Sequence, residues 1–199
     1  MKSIKWIILN LNIFLQKKHT QMKTKLFFLN VLMLVSLISC KNKEEEKPIE
    51  EVKANTFDVI VDLDIKNDDE LILFYKDPSI SFFDEKNTVY YGIKGKNEHQ
   101  TITFSLPEGV LPNDIRFDVS SKKDQKPIKI NSITLSFEER LFKIDEKNLL
   151  KYFTPNEFIN FDETTGIATF VRKGENYDPY FLTKPAIYPE LEKVRGVKM

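Results

Sequence analysis

Arg116 and Asp118 stand two residues apart in Ile115-Arg116-Phe117-Asp118-Val119. Successive side chains of a strand point to opposite faces, so the two share one side of the sheet. Such a pair either forms an ion pair on the sheet surface, worth little in stability, or lines a shallow binding site. The surface ion pair is the expectation. Side chains able to stack on a ligand ring are Tyr75, Tyr90, Tyr91, Phe82, Phe83 and Tyr180. Rings beside a few acids and amides are what a carbohydrate site on a sheet uses, since such sites are mostly apolar with few polar anchors. The competing reading is that these rings pack in the core or at an edge, more so for phenylalanine than for tyrosine. The single tryptophan is Trp6, and the lack of any later one weighs against the sugar reading.

Other chemistries find little to work with. Beyond residue 40 there is one imidazole, His99, in the turn-like neighbourhood of Lys96-Asn97-Glu98, and it is expected to sit exposed at a strand start. Nucleophilic catalysis needs a nucleophile beside a base, and the chain has no G-x-S-x-G elbow. Carboxylates for acid and base work are abundant, but nothing selects one pair. The expectation is therefore a protein that is not an enzyme. Cys40 is the only cysteine, so no disulfide forms within the chain and no thiolate cluster holds zinc. No cofactor and no metal site is expected. Asp62-x-Asp64 begins like a calcium-binding loop, but Lys66 takes the third ligand place, Asn67 replaces the glycine and Leu73 the bidentate glutamate. Asn67-Asp68-Asp69-Glu70 is expected to be a turn with solvated acids, a differently shaped calcium site on the same loop being the alternative.

The elements that must position these residues are strands. Phe57, Val59, Val61, Leu63 and Ile65 alternate with polar residues, the period of a half-buried strand. Segments 70–75, 89–94, 100–106, 115–119, 128–137, 141–144, 158–161 and 167–171 read the same way. Asn67-Asp68-Asp69, Asp77-Pro78 and Gly95-Lys96-Asn97 supply turns between them. The five-residue loop 162–166, ending in glycine, suits a hairpin. Residues 146–153 have helical character, limited by Pro155. Many short closely spaced strands without an internal repeat predict an all-β sandwich of jelly-roll-like topology with one short helix. The expected domain spans 55–184, followed by a loosely packed, proline-punctuated tail over 185–199.

Charge is distributed unevenly. Residues 1–40 carry six lysines and no acid, leaving 24 basic against 30 acidic residues after them, a formal charge of −6. Nucleic acid is not an expected partner, because binding it rests on a concentrated basic surface. From Met22, two lysines precede an apolar run over 26–38 that is too short for a spanning helix and ends in Leu37-Ile38-Ser39-Cys40. This resembles the lipobox signal peptide of bacterial lipoproteins. The resemblance implies removal of 22–39, a diacylglycerol and an N-acyl lipid on Cys40, and anchorage to a membrane that is effectively permanent. Residues 1–21 are read as an upstream extension, with translation starting at Met22. Residues 40–54 have almost no apolar content and form a flexible tether.

Lysine followed by an acidic run after Cys40 is similar to the export signal of Bacteroidota-type surface lipoproteins, which implies an outer-membrane, cell-surface address. Phe104-Ser105-Leu106-Pro107, Ile115-Arg116-Phe117-Asp118, Ile128-Lys129-Ile130 and Ile133-Thr134-Leu135 are similar to a strand series in carbohydrate-binding-module-like jelly rolls. That likeness covers roughly a sixth of the chain and bears on fold more than activity. Together these readings lead to a lipid-anchored, non-catalytic β-sandwich that binds an envelope or extracellular glycan. The alternatives are an accessory subunit recruiting protein partners in an envelope complex and, further off, a small hydrolase.

Overall fold

Alternation between apolar and polar residues is carried almost unbroken into backbone geometry. The computed structural model describes residues 55–196; the leader, Cys40 and the tether lie outside the described residues. Strands β1 (Asp58–Asp64), β4 (Gln100–Ser105), β6 (Ile128–Phe137), β7 (Arg140–Asp145), β9 (Ile159–Asp162) and β10 (Ile167–Phe170) form one sheet, in the order β4-β1-β6-β10-β9 with β7 also on β6. Strands β2 (Asp69–Lys76), β3 (Thr88–Ile93), β5 (Asp114–Asp118), β8 (Phe153–Pro155) and β11 (Tyr180–Thr183) form the other, in the order β3-β2-β5-β11-β8. All pairings are antiparallel. The chain switches sheet between β1 and β2 and back between β3 and β4, a Greek-key wrapping of the kind from which jelly rolls are built. The two sheets pack as the expected β-sandwich.

Between them lies one core. Val59, Val61 and Leu63 of β1, Leu71 and Leu73 of β2, Ile102 and Phe104 of β4 and Ile130, Ile133 and Leu135 of β6 are all buried. The phase of β6 changes within the strand: Asp62 faces Ser132 but Leu63 faces Ile130, so Asn131 is an inserted residue. Such a bulge bends the strand and re-aims a side chain; here Asn131 Nδ2 turns toward Asp64 Oδ1 at 3.4 Å and His99 Nδ1 at 3.1 Å. The loop 162–166 is the anticipated hairpin between β9 and β10. Gly166 has φ 73°, and a Cβ there would meet the Ile130 carbonyl oxygen at 2.6 Å, so glycine is required both conformationally and sterically.

The helical content departs from expectation. The anticipated helix is present as α1 (Leu149–Tyr152), but there is a second, α2 (Tyr188–Arg195), inside the segment expected to be a loose tail. Ile187, Leu191 and Val194 are buried, and their spacing of four and three places them on one helical face. Pro189 lies in the first turn, where its missing N–H costs no hydrogen bond, and Gly196 closes the helix at φ 75°. Helix α2 packs against β6 and β7, and Arg140 Nε–H donates to the Val194 carbonyl at 2.8 Å. The prolines of this segment start a helix instead of preventing one. Among the described residues no helix is long and apolar enough to cross a membrane.

Candidate functional site

The outer face of the five-stranded sheet gathers the residues most suited to binding. Register sets its rows. Across one, Tyr90 of β3 faces Ile72 of β2, which faces Asp118 of β5, which faces Tyr180 of β11. Across the next run Thr88, Phe74, Arg116 and Leu182. None of Ile72, Phe74, Arg116, Tyr180 and Leu182 is fully buried, and Tyr90 is 52 % exposed.

Arg116 organises this face. Its Nε–H donates to Asp118 Oδ1 at 2.7 Å and its Nη2–H to Asp118 Oδ2 at 2.8 Å and Asp178 Oδ1 at 2.5 Å. The guanidinium also packs over the rings of Tyr180 and Phe74, with 4.0 and 5.0 Å to their centroids. A planar, weakly hydrated guanidinium suits simultaneous bidentate pairing and ring stacking; a lysine could not replace it. The expectation of a surface pair worth little is corrected here, because both partners are largely withdrawn from solvent, Asp118 most of all. Breaking such a pair from one side strands a buried charge.

Burial pushes the Asp118 carboxyl up to about 6, with the Asp178 carboxylate adding to the rise and Arg116 opposing it. Burial acts to lower the Arg116 guanidinium, but its two carboxylate partners outweigh this and raise it. One cation shared between two acids is fully compensated, whereas each acid receives only part of it.

The sequence-derived candidates divide. Arg116, Asp118 and Tyr90 share the outer face. Tyr75 does not: it is 4 % exposed and belongs to the core, because it continues the inward phase of Leu71 and Leu73. Tyr91 is partly buried and packs edge-on against Phe104, centroids 5.9 Å apart; it too is removed from the stacking set. Phe83 lies under Lys76 Nζ at 4.7 Å. Residues missed at the site are Ile72, Phe74, Asp178 and Leu182. Phe74 was detectable, as an aromatic residue in the outward phase of a strand. Tyr180 is among the expected stacking residues, but the short strand β11 that carries it is not among the expected strands.

The acids of the 67–70 turn are not all solvated. Asp68 accepts from Lys94 Nζ at 2.7 Å on the surface, but Asp69 is buried and accepts from Ser120 Oγ at 2.6 Å, Ser121 N at 3.0 Å and Gln125 Nε2 at 2.7 Å. This is a carboxylate pinning the 120–125 loop. His99 is half exposed just before β4, beside Asp64 at 3.2 Å. Among the described residues no three His, Cys, Asp or Glu side chains converge as metal ligands would. No family model, curated protein or solved structure matches the chain.

Proposed function

We propose that the outer face of the five-stranded sheet binds a glycan without catalysing a reaction, in a protein held to the outer membrane and displayed at the cell surface by lipid on Cys40. The observation that carries the reading is the amphipathic cluster of Tyr90, Phe74, Tyr180, Arg116 and Asp118 gathered on one sheet face. A sugar ring offers apolar C–H faces and a rim of hydroxyls. Partly exposed rings suit the first, and fixed carboxylates and a guanidinium edge suit the second. The Arg116 side chain keeps about a fifth of its surface exposed, and its Nε and Nη2 are taken by Asp118 and Asp178. With one cation against two acids, the face favours neutral or amino sugars over acidic ones. The test is a glycan panel read with wild type, Tyr90→Ala and Tyr180→Ala; a flat response from the wild type to every glycan sinks the proposal.

A second reading has one observation in its favour. Leu141 of β7 is 68 % exposed, and β7 pairs only with β6 among the described residues. An unpaired edge bearing an apolar side chain suits strand addition by a protein partner in an envelope complex. Co-purification after mild crosslinking, with Leu141→Lys as comparison, separates the two: a lone monomer in both samples removes this second reading.

A further inference from the structure

A cleft of about 530 Å³ opens between α2 and the ends of β2 and β5. This is within the range of about 300–1,000 Å³ in which small-molecule sites are found. Its walls combine Ile80, Leu191 and the ring of Tyr188, which is 40 % exposed, with Lys76, Asp114 and Arg195. Lys76 Nζ is 2.5 Å from Asp114 Oδ2 and is thus already paired.

Two polar atoms on residues lining the cleft are closed to water and lack a partner among the described residues: Asn113 Oδ1, an acceptor, and Arg195 Nε–H, a donor. An unmet buried polar group costs about 1–3 kcal/mol and calls for an explanation. A bound ligand that donates to one and accepts from the other supplies it, given small turns of both the Asn113 carboxamide and the Arg195 guanidinium that bring these closed-off atoms to the cleft surface. A hydroxyl group does both. The remaining lining charges, Arg195 against Asp77 and Glu192, give no positive excess, which disfavours phosphate or carboxylate ligands.

We propose that this cleft is a second binding site, taking a neutral polyhydroxylated ligand such as a sugar unit that stacks on Tyr188 while its hydroxyls engage Asn113 and Arg195. It does not depend on the sheet face being a site. Saturation-transfer NMR on the full chain in a detergent without sugar groups tests it, with glucose, galactose, mannose and N-acetylglucosamine as probes. The expected result is transfer to at least one probe, weakened about tenfold by Asn113→Ala and by Arg195→Met, as loss of one hydrogen bond to a bound ligand would give. Melting of the free Asn113→Ala protein is expected to be undiminished, since the substitution removes an unmet acceptor. Should Arg195→Met fail to fold, Tyr188→Ala takes its place. Loss in the cleft variants supports the site whatever Tyr90→Ala does. No transfer to any probe overturns it, and so does transfer that survives the cleft variants. Transfer lost in Tyr90→Ala but kept in the cleft variants overturns it while leaving the sheet-face reading in place.

Discussion

Asp118 makes the Arg116 cluster sensitive to pH in a direction opposite to that of an ordinary salt-bridged acid. Burial disfavours the carboxylate and pushes its pKa up to about 6 in the folded protein, above the ordinary aspartate value of 3.8. Between those two values the folded protein holds the proton that the unfolded chain releases. The contribution of Asp118 to stability is therefore fully present below 3.8 and is lost as pH rises through about 6. Carboxyl ¹³C titration of Asp118 is expected to give a midpoint near 6. Asp178→Asn removes a neighbouring negative charge and should lower that midpoint; Arg116→Met removes the opposing cation and should raise it. Asp118→Asn should flatten the fall in stability across that pH window. A midpoint in the ordinary carboxylate range, unmoved by either neighbour, would contradict the cluster's geometry.

At the scale of elements, helix α2 is the part of the fold whose role changed most between sequence and structure. As a loose tail, residues 185–199 would tolerate substitution. As a docked helix with Leu191 fully buried, they should not. Leu191→Ala is expected to cost about 2–5 kcal/mol, the range for truncating a buried leucine, measured by denaturant unfolding; a change under about 0.5 kcal/mol, as at an ordinary surface position, would return the segment to the status of a tail. The strands most readily read in the sequence were those whose alternation runs for several residues, such as β1, β2 and β4. Strands β8 and β11 are short and, unlike the equally short β9 and β10 on either side of the 162–166 loop, are not joined to their pairing partners by a turn the sequence marks. The same reason limited the site. Arg116 and Asp118 could be put on one face from spacing alone, but Tyr180 joins them through the β5–β11 pairing, which no local pattern encodes. Tyr75 is the reverse case: its inward phase is legible from Leu71 and Leu73, and its aromatic type alone suggests a binding role that this phase excludes.

For the whole molecule, anchorage and recognition are separable proposals and are tested separately. The tether after Cys40 is charged and nearly devoid of apolar residues, while the folded part buries its own core. Cys40→Ser is therefore expected to move the protein from the membrane fraction to the soluble fraction without changing its melting temperature; continued membrane partition would remove the lipid anchor from the account. The proposed recognition by the outer face of the five-stranded sheet is tested most directly by calorimetric titration of Tyr180→Ala against a glycan retained in the panel. Affinity is expected to fall about three- to tenfold below wild type, the worth of one aromatic contact, with the melting temperature lowered by the loss of the ring under the Arg116 guanidinium and the titration run well below it. Equal affinity in the variant and the wild type would contradict the proposed recognition.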